Sequence, residues 1–468
     1  MSKKYAIYCF PILFWIICYF GFSFDGLYGQ DAYEYFRYTK SLHNYLTSGE
    51  LPGDYFWGVY YPLFGSFLML VLGKTPIALQ LISVFSLIIS SIYATKIIEL
   101  IYKEKGNSIL IFLVFSCSPI LLIHSVLSMS DLLSCCLLLL TFYHFLVYLE
   151  KSKDRSFLIG VCFCLIALLT RYATGIIVLP ITIMVFLKLW KDKPLKLLLI
   201  SIPILLIIIA PHIVIKSQKS LQFLSHSWLQ NWNILNIFKS DFVTQEGPRS
   251  NHFINLIYIC FTFLHPIFMF FGLGIIGYSI KNRFRKWNKY QILLAVSILV
   301  FSLFIGGIPY QNKRYLIPAF ALIVILIYPQ VKNIISFFNY KKPIYFVVFF
   351  IQLSFTFYFG KQFLDRNKLE KSIVKEMKPF QGNTLYIFDI DVAMQGRGLQ
   401  FNYKNLFIEK YKVYEKNALI LINEKQLEKD WKDKNPLINW NQIQNQCELK
   451  KLQLTNKDWS LYQITALK

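Results

Sequence analysis

Two acids and a few bases in an otherwise apolar chain have the types and settings that proton transfer and anion binding require. Asp31 stands in Gly29-Gln-Asp-Ala-Tyr-Glu-Tyr-Phe-Arg-Tyr38, directly after the first apolar run. A positioned carboxylate within hydrogen-bond reach of an attacking hydroxyl can take its proton. The plainer alternative is a solvated surface helix whose acids, Asp31 and Glu34, pair with Arg37 and Lys40. Asp131, in Leu127-Ser-Met-Ser-Asp131, stands where an apolar segment begins; Ser130 and Asp131 are also good helix-capping types, and capping and site support are compatible. Arg171 closes Leu168-Leu-Thr-Arg171, and Lys313 and Arg314 close Gly306-Gly-Ile-Pro-Tyr-Gln-Asn-Lys-Arg314. A guanidinium in such a place either snorkels to the membrane interface or holds a phosphate through two parallel hydrogen bonds. A helix start beside Lys313 and Arg314 also favours an anion.

These residues sit in a chain of 468 residues, 55% hydrophobic and only 16% charged, with a mean hydropathy of +0.46. Soluble domains carry about a quarter charged residues, so the composition points to a polytopic membrane protein. The net charge of +23 does not indicate nucleic acid, because the Lys and Arg lie in short clusters between apolar segments, as cytoplasmic loops require. Eight of the nine cysteines fall in apolar segments and the ninth is Cys447; no disulfide framework or CxxC metal knuckle is visible. His124, His144, His212 and His265 are scattered through apolar segments without metal-ligand spacing and read as core residues. His226 and His252, in a polar loop, are candidates for meeting an acceptor. Lys3 and Lys4 before the apolar run from Tyr5 to Phe24 suggest a retained signal anchor.

About eleven segments reach helix-spanning length: 5–24, 77–99, 107–124, 129–149, 156–172, 173–190, 195–215, 253–280, 290–308, 315–331 and 343–360. The stretch from Tyr60 to Gly73 is apolar but short. If it crossed the membrane, the basic loops at 102–105, 150–155, 188–196, 281–289 and 332–342 would all face outside, against the positive-inside rule. If it lies in the interface or dips in and returns, all five turn cytoplasmic. The external face then holds the first loop (25–76), 124–130, the 170–175 junction, a long loop (216–252), 306–314 and everything after Gly360. Residues 361–468 shift to a Lys-, Asn- and Gln-rich composition with short β-type runs at 384–388, 418–422 and 460–464. The expected architecture is a helical membrane domain over 1–360 followed by a small extracytoplasmic α/β domain over 361–468.

The first external Asp, the Tyr-Pro-Leu-Phe segment at 61–64, Leu79-Gln-Leu-Ile-Ser83, the Ser118-Pro119 turn, Ser130-Asp-Leu-Leu133 and Leu168-Leu-Thr-Arg171 follow one another in an order and spacing that resembles a known family. It is the GT-C glycosyltransferase superfamily, in the branch of aminoarabinose transferases and protein O-mannosyltransferases. The likeness covers about residues 20–190; Arg314-Tyr315 with Pro318 is similar to the family's later external Arg-Tyr segment. The resemblance implies a polyprenyl-phosphate sugar donor, an extracytoplasmic site, and inverting transfer to a hydroxyl-type acceptor. It matches Asp31 to the first-loop catalytic acid, Asp131 to a second acid, and Arg171 to a base that contacts donor phosphate. The chain departs from the pattern at Ala32, where many relatives carry a second acid, and at Tyr61, where relatives often have proline.

The expectation is therefore a glycosyltransferase with Asp31 and Asp131 as catalytic acids and Arg171, Lys313 and Arg314 on the donor phosphate, with Glu34, Tyr35, Trp57 and Tyr60 lining the substrate. Tyr33 is a further aromatic that could pack on sugar or prenyl chain. The partners are a polyprenyl-phosphate-linked sugar, a glycan, lipid or protein acceptor, and the bilayer, with no nucleic acid. The location is the bacterial inner membrane with the site and the C-terminal domain outside. No cofactor is indicated, no metal ligands are identified, and a divalent metal is left open. Three rivals stand beside it. A lipid-linked glycan flippase would place charges near helix midpoints, a polysaccharide polymerase or ligase would use the loop from His226 to Arg249, and a membrane scaffold would need no single external charge. Sugar and acceptor identity are not legible.

Overall fold

In a computed structural model, residues 3–192, 195–215, 227–244, 247–250, 252–281, 287–431 and 434–468 are described. The start of the long loop, including His226, and part of the 281–289 loop lie outside these, as do the side chains of residues 244–249, Arg249 among them. Two units emerge: Met1–Gly26 with Tyr38–Phe242 and Ser250–Lys361, and Leu27–Arg37 with Val243–Arg249 and Gln362–Lys468. The segment carrying Asp31 thus groups with the C-terminal residues, whereas its sequence neighbours suggested the membrane domain.

The first unit is helical, and the chain is a multi-pass membrane protein. Among the described residues seven helices are long and apolar enough to cross a membrane, or up to nine if each of two bent pairs is one span. The remainder of the eleven fall short in length. Asp154–Thr170 has 17 residues, about 25 Å of helix at 1.5 Å per residue against a hydrocarbon core of about 30 Å. Tyr5–Gly21 is no longer than that. Tyr60–Leu72, at 13 residues, is shorter still. The expected span at 107–124 is broken, because Ser108–Ser116 and Pro119–Val126 meet at 70°. Pro119 has no amide to continue the helix, and the Ser118 hydroxyl donates instead to the Phe268 carbonyl at 3.0 Å. Asn255–Met269 and Gly272–Tyr278 are bent by 117° within the expected 253–280 span.

At the centre of this unit Asp131–Lys151 is mostly buried, whereas few residues of the span within Lys341–Phe380 are buried. It packs between Ile77–Tyr102 and Asp154–Thr170. Small residues permit that approach: Ser83, Ser86, Ser90, Ser91 and Ala94 are all buried on the first neighbour, as small side chains are at helix contacts in lipid. On the second, a Cβ at Gly160 would come within 2.4 Å of the Phe145 ring. All nine cysteines are free.

The second unit is built on a five-stranded sheet in the spatial order Asn402–Asn405, Thr384–Ile387, Leu419–Ile422, Ser460–Leu467, Cys447–Leu452. The first three strands are parallel and the last two pairings antiparallel. Leu-Ile-Leu-Ile at 419–422 is buried at every position, as a central strand covered on both faces requires. Its core gathers Tyr386, Tyr414, Ile420, Trp440, Ile443 and Ile464.

One acid in this sheet unit carries a pH prediction. Asp391 is 6% exposed and accepts from Asn405 Nδ2 at 2.7 Å. Burial raises its pKa above the ordinary carboxylate value, more than that hydrogen bond lowers it. A carboxyl that ionises less readily folded than unfolded lends stability below the unfolded pKa of about 3.9, and that stability is lost as pH rises through the folded value. Asp391→Asn, which keeps an oxygen for Asn405, is expected to raise the unfolding temperature at pH 7, with the gain shrinking below about pH 4. Thermal scans across pH check this, and an unchanged or lower melting point at pH 7 would count against it.

Candidate active site

The backbone ahead of Asp131 is held by side chains of the Ile77–Tyr102 helix. Gln80 and Ser83, one helical turn apart and fully buried, donate to the carbonyls of Val126 at 2.8 Å and Leu127 at 3.0 Å. Ser128 N–H donates to Gly26 O at 2.9 Å, and Gly26 has φ +79°, with Gln80 Cγ 2.6 Å from where a Cβ would stand. Glycine is needed there for both reasons. These bonds satisfy polar backbone that would otherwise be costly at membrane depth, and they fix the start of the Asp131–Lys151 helix. Ser130 makes no side-chain capping bond to that helix.

Arg171 stands at the break between Asp154–Thr170 and Thr174–Asp192, in extended backbone at φ −152°, ψ 109°. Thr174 N–H returns to Arg171 O at 2.9 Å, and the Thr174 and Ser134 hydroxyls bond at 2.6 Å, which ties the break to the central helix. Gly58 lies against the same helix end, since a Cβ there would fall 2.2 Å from Leu169 O.

The result is a charge cluster. Arg171 Nη1 donates to Asp131 Oδ1. His124 Nδ1 lies 3.6 Å from Asp131 Oδ2. Arg314 Nη1 donates to Met129 Sδ at 3.2 Å, and the guanidinium carbons of Arg171 and Arg314 stand 5.2 and 5.4 Å from the centroid of the one Tyr315 ring. The Asp131 side chain is only 2% exposed, whereas that of Arg171 is 19% exposed. The carboxylate is therefore an enclosed holder, and the guanidinium is the group that reaches outward. Two guanidiniums brought to one aromatic ring are groups that can hold an anion with several oxygens.

The other expected residues distribute differently. Lys313 Nζ lies 3.4 Å from His265 Nε2, a residue outside this cluster. Tyr60 is 6% exposed and its hydroxyl donates to Ile208 O at 2.5 Å, which commits it to helix packing. Trp57 is half-buried beside Tyr55, with ring centroids 5.8 Å apart. His124 belongs to the cluster although in sequence it read as one core histidine among four; Tyr315, noted there only beside Arg314, is the ring at which both guanidiniums stand.

Asp31 lies in the second unit, in the first turn of Gly29–Ser48, where an acid is favoured by the helix dipole. It shares an i, i+3, i+6 stripe with Glu34 and Arg37, while Ala32, Tyr33, Tyr35 and Phe36 are buried. Glu34 is engaged by Arg37 at 2.6 and 2.5 Å. Tyr35, at 5% exposure, is a packing residue here. Tyr33 was expected against sugar or prenyl chain; instead its hydroxyl donates to Glu370 Oε2 at 2.5 Å and accepts from Arg397 Nε at 2.9 Å. Glu370, Arg366 and Arg397 had no prominence in the sequence, although Arg366 and Glu370 stand at the i, i+4 spacing of a helical ion pair.

Among the described residues no three His, Cys, Asp or Glu side chains are grouped to hold a metal ion.

Residues 59–215 match the family profile of dolichyl-phosphate-mannose-protein mannosyltransferases, PMT_2. A search of curated proteins finds no match. Among solved structures, the chain is similar to ArnT from Cupriavidus metallidurans bound to undecaprenyl phosphate, with TM-score 0.59, 10% identity, and 98% of this chain and 97% of that one covered. The apo state of the same protein gives TM-score 0.60 at 9% identity, with the same coverage. AglB, an archaeal oligosaccharyltransferase from Archaeoglobus fulgidus in complex with an inhibitory peptide and a dolichol-phosphate, aligns at TM-score 0.47 and 12% identity over 84% of this chain and 63% of that one. The family resemblance is borne out over residues 59–215, which hold the Gln80, Ser130 and Leu168 motifs, and the ArnT likeness extends the shared fold to nearly the whole chain.

Proposed function

We propose that this chain, a multi-pass membrane glycosyltransferase of the GT-C kind, moves a sugar from a polyprenyl-phosphate donor to a hydroxyl-type acceptor with inversion, on the extracytoplasmic face of a bacterial inner membrane. The observation that carries the reading is the pair of guanidiniums at Tyr315, one of them held by the enclosed Asp131 carboxylate. It is a ready site for a phosphate, and the similar ArnT structure is one bound to undecaprenyl phosphate.

Asp31 takes the proton of the acceptor hydroxyl as its oxygen attacks the anomeric carbon. The bond from that carbon to the phosphate oxygen breaks, and its electron pair leaves with polyprenyl phosphate. Arg171 and Arg314 offset the charge that grows on the departing phosphate, the preorganised stabilisation that dominates many such steps. Asp131 fixes the Arg171 guanidinium, with His124 against its second oxygen. The acceptor is a glycan, lipid or protein of the cell envelope. The orientation is the one under which the five basic loops read from the sequence obey the positive-inside rule, with the Arg171 and Arg314 ends outside.

The test supplies the purified protein with radiolabelled polyprenyl-phosphate sugars and an envelope extract. Label is expected to pass to the extract with release of polyprenyl phosphate. Movement of the intact labelled lipid across proteoliposomes, with no transfer, would instead make the protein a flippase.

A further inference from the structure

The helix that carries Asp31 is fastened by groups that the transfer step itself does not use. Tyr33 follows Asp31 by two residues on Gly29–Ser48, and at about 100° per residue the two side chains leave nearly opposite faces. Tyr33 is 1% exposed, and its hydroxyl sits between Glu370 and Arg397. Its ring lies so close to Gly396 that a Cβ there would come within 2.4 Å of Cδ1. Glu370, also 1% exposed, accepts on its other oxygen from Arg366 Nε at 2.8 Å, and Arg366 Nη1 reaches Asp389 at 2.8 Å. Arg366 further donates to the Asp389 carbonyl at 3.3 Å, at a residue held in left-handed backbone with φ +78°.

One acid and one base thus bond the tyrosine hydroxyl, and Arg366 and Asp389 hold that acid from behind. Networks of this kind contribute little net stability, since desolvation offsets the ion pairing. Their members must nevertheless keep their geometry, because breaking one contact leaves a buried group unsatisfied. The apolar side of the helix is already buried through Ala32, Tyr35 and Phe36. What the hydroxyl adds is a defined rotation of the turn about its axis, and that rotation sets the direction of Asp31.

We propose that Glu370, Arg366 and Arg397 are positioning residues for glycosyl transfer, acting through the Tyr33 hydroxyl on the helix turn that presents Asp31. This gives the Gln362–Lys468 segment a part in the chemical step, and it rests on the reading of Asp31 as the base. The experiment uses the full-length protein in nanodiscs, with Tyr33→Phe and Glu370→Gln made alone and in an Asp31→Asn background. Tyr33→Phe, which keeps the ring, is expected to lower kcat about 10- to 100-fold, the scale of a small misplacement of a reacting group, while the donor KM holds. Glu370→Gln is expected to do the same. In the Asp31→Asn background neither change should slow the residual reaction further, because residues acting through one group are not additive. Amides of residues 29–37 should exchange hydrogen faster in Tyr33→Phe, with the sheet strands unaffected. Unchanged kcat in Tyr33→Phe beside an inactive Asp31→Asn overturns the positioning role alone, as does a loss that multiplies with Asp31→Asn. Full activity of Asp31→Asn overturns the base assignment itself.

Discussion

Asp31→Asn is expected to lower the transfer rate by about two to four orders of magnitude, the range general-base catalysis contributes. Asparagine keeps the size of the side chain and its place in the first helical turn, yet it cannot take a proton from the acceptor. Donor affinity should change little, since the proposed phosphate ligands are Arg171 and Arg314. Initial rates with a labelled donor, together with direct donor binding, separate the two effects. Glu34→Gln is the companion variant. Glu34 is already engaged with Arg37, an exposed pair worth about 0–1 kcal/mol, so its loss should leave the rate near wild type. A silent Asp31→Asn, or an inactive Glu34→Gln, would move the base away from Asp31.

The second large effect is expected at Arg171. Arg171→Ala would remove the proposed charge-assisted hydrogen bonds to the donor phosphate, worth about 1.5–3 kcal/mol each, so donor Kd should rise at least tenfold. It also strips the buried Asp131 of its guanidinium partner. Breaking one side of a buried ion pair costs about 3–5 kcal/mol, and a marked fall in unfolding temperature should accompany the loss of binding. The two losses can be pulled apart. Asp131→Asn added to Arg171→Ala leaves no unpaired carboxylate, so stability should largely return while donor binding stays weak. Arg171→Lys keeps the charge but not the planar fork, and should fall between wild type and Arg171→Ala. If stability and binding recover together in the double variant, Arg171 is a structural ion-pair partner and not a phosphate ligand.

Some of this was readable from local spacing. Glu34 and Arg37 stand three apart on one helix, and their pairing followed from that alone. Gln80 and Ser83, also three apart, belong to a motif recognised by its order along the chain, and the structure shows its work in holding the carbonyls of Val126 and Leu127. The Ser118-Pro119 turn was visible, though not that it would bend a span by 70°. Tyr60 and Tyr35 looked available because aromatic residues in a polar loop do. Burial depends on what packs over them, and a hydroxyl bonded to Ile208, 148 positions away, leaves no local trace.

The sequence by itself determined that the chain is a multi-pass membrane protein, where its apolar segments lie, and which charged residues stand at their ends. Those properties follow from the length of apolar runs and the cost of charge in hydrocarbon, which are local constraints read one segment at a time. Only the tertiary structure decided that Arg171 closes on Asp131 across 40 positions, that Arg314 joins it at Tyr315, and that Tyr33 is gripped by Glu370 across 337. Such pairings depend on where small residues let helices approach and on which buried polar groups find partners. Both are set by the packed whole and leave no period in the sequence.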